Sequence, residues 1–522
     1  MRVGLSGHEP ADSWDQGTLP AMKRRTFLTL TGGAGAAVLV GPWIRRSSAA
    51  TFGAFPAGTD SVQLPANQRA KKVLEIFLYG GLSPWETLYF VRDYGTPSDP
   101  QFPNSQYYAY ATSNAAAAAT CGGSEDARPF GQDANAALVE LGPFASRLAT
   151  RSDVVDRMRI VVQRHSLEPH EAAVPMALTG RPVGQPNAAG LGAHVQRARN
   201  DAGLTPGRAS PHSYVFATGG VSSDNIAAAA AAGTHPGSAR PMLIKTNNAT
   251  GFTSLLERGT VGSNRASHDS LVQAYVDQYQ GRLTWPDQGR VRSPRTDDMV
   301  VAHQTATKTD AIRAVFSDDL LASKQNTACG LTRQSIPHMG LNAAAGLLTH
   351  PTEPASYVCV SDIGLEEASG GGGYDTHSRN ATDTSRNFDN LLQGLLGIIN
   401  APGETDPRKL SLDDTLIILN TEFGRTPGRQ DASGRNHHPY GYVTSFIGGP
   451  ITTAQKGVSG AIGRDGIATQ FATPAENRMA ALLAMGIWPF AAEGYNVSDA
   501  PAATTELDAA QKAMAKFLGR VS

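Results

Sequence analysis

Short unbroken apolar runs alternate along the chain with stretches in which apolar residues recur at helical spacing. The runs are Val73-Leu74-Glu75-Ile76-Phe77-Leu78-Tyr79, Arg159 to Gln163 (RIVVQ), Tyr357 to Ser361 (YVCVS) and Thr415 to Thr421 (TLIILNT). They are continuous rather than alternating, the pattern of parallel strands covered on both faces. Helical patterns lie at Glu171–Leu178, Gly190–Asp201, Asp297–Ser323, Asn380–Ile399 and Pro474–Met485. Strand and helix in alternation predict an α/β sandwich. The stretch from about Asp201 to Arg295 interrupts this order with Gly, Ser and Asn residues and one helical pattern, Ser267–Gln280, and reads as an insertion or cap. Thr51 to Ala70 reads as an extended linker, and the alanine runs Ala115–Ala119 and Ala227–Ala232 as loop filler or helix edges.

At 522 residues the chain exceeds one core of ordinary size, so two domains or one large α/β domain with insertions is expected. The 55 glycines and 32 prolines imply long, sharply turned connections and a site made of loops. With 45 Lys+Arg against 46 Asp+Glu there is no basic field for a phosphate backbone, which excludes nucleic acid as a partner. The three cysteines allow at most one disulfide; Cys359, in an apolar run, reads as a buried thiol.

Lys23-Arg24-Arg25-Thr26-Phe27-Leu28 is a twin-arginine signature, followed by a Gly/Ala-rich apolar stretch from Thr29 to Ile44 and the small residues Ser48-Ala49-Ala50. The stretch is shorter than the roughly 20 residues of a membrane span and contains Gly32, Gly33, Gly35 and Pro42. Residues 1–50 are therefore expected to be a Tat signal region, its signal proper running from Met22, which is a candidate start alongside Met1. The Tat translocase is the partner during export. No cysteine follows the cleavage region to accept a lipid, so a periplasmic or secreted protein without a stable membrane anchor is expected. Removing residues 1–50 takes away six basic and three acidic residues and leaves 39 against 43, a mildly acidic protein.

Candidate chemistry gathers after the apolar runs, where open α/β sheets bind ligands. Glu422 and Arg425 follow TLIILNT directly, and Gly434-Arg435-Asn436-His437-His438 comes downstream. Four glycines, Gly370 to Gly373, lead into Tyr374-Asp375-Thr376-His377, while Arg164-His165 ends the RIVVQ run and His170-Glu171 opens a helix. Carboxylate and imidazole together suit a divalent cation. Asp375 and His377, two apart, can converge on one ion with His437 or His438, and Glu422 nearby.

The order FLYGG, HEAAVPMALTGRP, YDTH, TEFGRTP and GRNHHPYG resembles the exported bacterial family called domain of unknown function 1501, over nearly the whole chain after Ala70. The resemblance implies the alkaline-phosphatase-like fold of the phosphatase and sulfatase superfamily: a three-layer sandwich, with a large, mostly parallel sheet between helices from residue 71 to 522. It also implies divalent metal, Zn, Mn or Ca, at the strand ends. Asp375, His377, Glu422, Arg425 and His437 match the family's segments. Ser83 and Asn436 stand where the family has acidic residues, and Phe423 where superfamily phosphatases have a histidine ligand, so a single-metal site is expected. The superfamily nucleophile sits at a helix start nine residues before the Thr of a Thr-Gly pair, which here is His170 before Thr179. An imidazole there can act as nucleophile, general base or metal ligand. The function so implied is exported hydrolysis of phosphate or sulfate esters, the small anionic ester being clamped by Arg425 or Arg181. The alternative is a non-catalytic binding or assembly protein on the same fold.

Overall fold

The computed structural model of the chain describes residues 51–520 except 127, 186–187, 203–210, 218–220, 234–239, 246–263, 286–288, 291–328, 330–335, 366–371 and 492–493. The signal region expected at 1–50 and the helix expected at 297–323 lie outside the described residues.

Eight strands form one sheet: β1 (Lys72–Leu78), β2 (Met158–Gln163), β3 (Ser213–Ala217), β4 (Met242–Lys245), β5 (Tyr357–Asp362), β6 (Thr415–Asn420), β7 (Tyr442–Gly448) and β8 (Gly457–Ser459). Their order is β8-β2-β7-β6-β1-β5-β3-β4. Every pairing is parallel except the two made by β7, which runs against β6 and β2. In β1, Leu74, Ile76 and Leu78 enter one core and Val73 and Phe77 the other, because successive side chains leave opposite faces. The first core is covered by helices α1 (Ala111–Thr120), α5 (Ile336–Leu348) and α6 (Asn380–Gly397). The second lies under α2 (His170–Thr179), α3 (Leu191–Asp201), α4 (Val221–Ala230), α7 (Pro474–Ala484) and α8 (Glu506–Leu518). The result is the three-layer α/β sandwich that the alternating pattern predicts.

The structure differs from the sequence reading in three places. First, the stretch 201–295 is not all insertion: β3 and β4 extend the main sheet, with α4 between them. These strands are only five and four residues long, and their Gly/Ser-rich surroundings conceal them. The alanine run falls within and just after α4, where Ala227, Ala229 and Ala230 are buried; helix Arg265–Leu283 is the part outside the sheet. Second, residues 51–70 pack rather than tether, with Phe52, Val62, Leu64 and Ala70 buried in the second core. Third, β7 has no counterpart among the apolar runs because Thr444 and Ser445 interrupt it. Both are nonetheless buried, and Thr444 Oγ1 accepts from Gln163 Nε2 at 2.6 Å. Cys121 and Cys329 form a disulfide and Cys359 is a buried thiol. No helix among the described residues is long and apolar enough to cross a membrane.

A candidate metal centre at the carboxyl edge of the sheet

The parallel strands β1, β2, β5 and β6 all end on one edge, and the segments that leave them meet there. β1 continues into Tyr79-Gly80-Gly81, β6 into Thr421-Glu422, and β2 into Arg164-His165. The reversed strand β7 starts at this same edge. The hairpin that precedes it, Gly424–Arg425 paired with His437–His438, is thereby delivered over the strand ends. Two close approaches require glycine. Gly80 has φ +109°, and a Cβ on it would lie 2.0 Å from the Asp375 nitrogen; a Cβ on Gly434 would lie 1.7 Å from the His377 carbonyl oxygen. These contacts bind the Tyr374–His377 segment between the end of β1 and the hairpin.

Three imidazoles and one carboxylate converge. Asp375 Oδ1 is 3.2 Å from His377 Nε2, 3.4 Å from His437 Nε2 and 3.4 Å from His170 Nε2. The two nitrogens His377 Nε2 and His437 Nε2 are 3.0 Å apart. Each ring is held from behind through Nδ1: His170 by Glu422 Oε1 at 2.9 Å, His437 by the Glu168 carbonyl at 2.8 Å and His377 by Gln430 Oε1 at 2.8 Å. A carbonyl or carboxylate can only accept, so each Nδ1 carries a hydrogen, and a ring that is neutral presents its Nε2 lone pair to the shared point. Two lone pairs facing at 3.0 Å repel unless a proton or a metal ion lies between them. Asp375 Oδ1 and the ring nitrogens of His170 and His437 lie within 4.8 Å of one another, and His377 Nε2 adds a donor against Asp375 and His437; donors around a tetrahedral ion at about 2.0–2.1 Å stand roughly 3.3 Å apart. His170 Nε2 is buried and without a well-formed hydrogen bond among the described residues. The residues therefore fit one divalent cation.

The surroundings fix these groups and tune their charge. Tyr79 stacks on His170 with ring centroids 5.0 Å apart, and Phe423 stacks on His437 at 4.5 Å. Burial opposes protonation of His170, but the carboxylates of Asp375 and Glu422 overcome it and, with no cation present, raise the ring to about 9, so a metal ion would displace the Nε2 proton. Burial pushes His377 below its usual value, with Arg425 adding to the effect. His165 is likewise lowered by burial; its Nε2 faces the Glu422 carbonyl at 2.6 Å, and its Nδ1 accepts from the Leu167 N–H.

The seven candidate residues separate into three groups. His170, Asp375 and His437 form the convergent set, with His377 against Asp375 and His437. Glu422 stands behind them: fully buried, it accepts from the Gly80 N–H at 2.7 Å and orients His170. Arg425 is also fully buried, donating to Asp375, Gly80, Gly81 and Arg435 oxygens, so it holds the carboxylate in place and is not free to clamp an ester. Arg181 is not at the site. It lies beyond the opposite end of α2, paired with Asp499 at 2.6 Å and the Gly494 carbonyl at 2.9 Å; a ten-residue helix separates the two ends by about 15 Å. His438 turns away to the Gly466 carbonyl.

Sequence reasoning missed Glu168, Gln430, Tyr79 and the buried pair Glu86–Arg435, 2.5 Å apart, which fastens the hairpin to the β1 connection. Glu86 follows Ser83 by three residues and accepts its hydroxyl, so an acidic residue does follow the Gly-Gly pair but serves the hairpin. Asn436 Oδ1 accepts from the His437 N–H at 2.9 Å.

Asp362, at the end of β5, accepts from the Gly364 N–H at 2.8 Å and the Tyr374 hydroxyl at 3.0 Å, yet burial raises its carboxyl to about 6. This lies above the unfolded value of about 3.9, so its favourable contribution is complete below pH 4 and is lost as pH rises through 6. Asp362→Asn should accordingly stabilise the protein by about 2–3 kcal/mol at pH 8 and have little effect at pH 4. Urea unfolding at the two pH values measures this, and an equal effect at both would contradict it.

The fold and site define a class: a three-layer α/β sandwich with an imidazole–carboxylate cluster at its carboxyl edge. The chain belongs to the family described as protein of unknown function (DUF1501), whose model matches residues 70–475 and so spans the whole cluster. No curated protein matches the chain.

Proposed function

We propose that the cluster holds one divalent cation and that the protein is a Tat-exported, periplasmic or secreted hydrolase of phosphate or sulfate esters. The observation that carries this reading is the convergence of His170, His437 and Asp375, with His377 Nε2 beside the latter two and every Nδ1 held from behind, the outer-shell pattern of metal-binding histidines. Three nitrogens and one oxygen suit Zn²⁺ or Mn²⁺; Ca²⁺ takes 6–8 oxygen ligands. Such an ion, when bound, polarises an ester oxygen and lowers the pKa of water.

The chain's own residues supply the rest. Asp375 brings the one charge in the donor set, and Glu422 keeps His170 in the Nδ1–H tautomer. Tyr79 and Phe423 keep water from the imidazole faces. The side chains of His377 and His437 are 27% and 17% exposed, which leaves an approach for substrate. With a dication present, Asp375, Glu422 and Arg425 leave one net positive charge, which favours an anionic ester. His170 then serves as ligand, and no serine-type covalent intermediate forms at its position.

The engagement of Arg425 and the remoteness of Arg181 favour, as a second reading, a non-catalytic binding protein on the superfamily's sandwich. Metal analysis of protein purified without chelator, followed by assays with p-nitrophenyl phosphate and p-nitrophenyl sulfate, separates the two. One equivalent of metal with chelator-sensitive hydrolysis is expected. Metal without turnover would favour the binding protein, and absence of metal would overturn the hydrolase.

A further inference from the structure

A cavity of about 460 Å³ is lined by none of the cluster residues; Phe90, Tyr107, Tyr108, Arg92, Glu125 and Asp126 are among those that form it. We propose that it is a carbohydrate-binding site that takes a neutral pyranose ring. The volume falls within the roughly 300–1,000 Å³ of small-molecule sites.

One part of the lining is aromatic. Phe90 and Tyr107 pack with centroids 4.7 Å apart at 43°, and Tyr107 meets Tyr108 edge-on at 5.4 Å.

The rest of the lining is polar and carries both signs of charge. Arg92 lies over the Phe90 ring at 5.2 Å and is held by Glu140 at 2.7 Å and by the Glu125 carbonyl at 3.0 Å, so it is positioned without a ligand. Glu125 and Asp126 are exposed carboxylates. A cation entering here meets the guanidinium, and an anion meets two carboxylates. A neutral polyol suffers neither repulsion, because its hydroxyls donate to carboxylates and accept from the guanidinium. A pyranose combines such a rim with a face of C–H groups, which matches an aromatic wall beside charged hydrogen-bonding groups.

The test is calorimetric titration of the intact protein with maltose, cellobiose and N,N′-diacetylchitobiose. At least one should bind saturably, with a dissociation constant of about 1 mM or below, and chelator treatment should leave binding unchanged because the cavity shares no residue with the metal cluster. Tyr108→Ala should weaken binding about tenfold, the scale of one lost aromatic contact. Asp126→Asn, at an exposed position where the fold is not at stake, should weaken it as well. Failure of all three sugars to bind, wild-type affinity in both variants, or binding of benzyltrimethylammonium or phenyl phosphate in their place would overturn the proposal.

Discussion

Replacing His170 by alanine should strip the protein of its metal and, with it, any ester hydrolysis. His170 sits at the first turn of α2, following Pro169, whose ring presets the backbone for helix entry. Its Nδ1 is taken by Glu422, so its Nε2 can only point at the cluster. Removing one of the convergent donors should weaken metal binding by more than the roughly 10- to 100-fold that losing a hydrogen bond to a ligand costs. Glu422→Gln should fall within that smaller range, because an amide keeps the volume and loses the charge that favours the Nδ1–H tautomer. Asp375→Ala and His437→Ala should resemble His170→Ala. Zinc titration of chelator-treated protein, with circular dichroism to confirm folding, gives the ranking. Unchanged affinity in His170→Ala would return that residue to the nucleophile or general-base role, and a smaller loss in Asp375→Ala than in Glu422→Gln would place the ion elsewhere.

Arg425→Ala should be the most destabilising single change at the site, by about 3–5 kcal/mol, the cost of leaving a buried charge without its partner. The guanidinium is wholly buried and joins Asp375 to the carbonyls of Gly80, Gly81 and Arg435, so it ties the end of β1 and the hairpin to the Asp375 segment. Arg425→Lys should recover little of this, since a single ammonium cannot span four acceptors in the plane that the guanidinium reaches. Burial works against the Asp375 charge, but the neighbouring His170, His437 and Arg425 outweigh it and hold the carboxyl well below its usual range. A depressed carboxyl contributes stability above its unfolded pKa of about 3.9 and loses it as pH falls through the folded value. The difference between wild type and Arg425→Ala should therefore be full at pH 7 and should shrink on acidification. Denaturant unfolding at pH 7 and pH 2 measures both effects, and a variant as stable as wild type at pH 7 would show that Asp375 does not depend on this arginine.

Four strands and five helices were legible because each carries a local signature: a continuous apolar run for a doubly covered strand, or 3.6-residue spacing for a helix. β7 was not legible, since Thr444 and Ser445 read as polar until their partners across the sheet are known. Its reversed direction brings His437 to the edge where the parallel strands end. Likewise, Asp375 and His377 stand out locally, two residues apart after a glycine run. The roles of His170 and Glu422, 252 positions apart, depend on which of them faces the shared point and which stands behind it. Arg181 and Arg425 are equally cationic in the sequence, yet one is fixed at the far end of α2 and the other is consumed beneath the site.

By itself, then, the sequence determined the sandwich class, the family resemblance and the chemical types that gather at strand ends, because these rest on periodicity and on contiguous motifs. Only the tertiary structure decided which donors converge, which carboxylate orients an imidazole and which arginine is buried. Those assignments depend on distances across strands far apart in the chain, and local pattern carries no information about them.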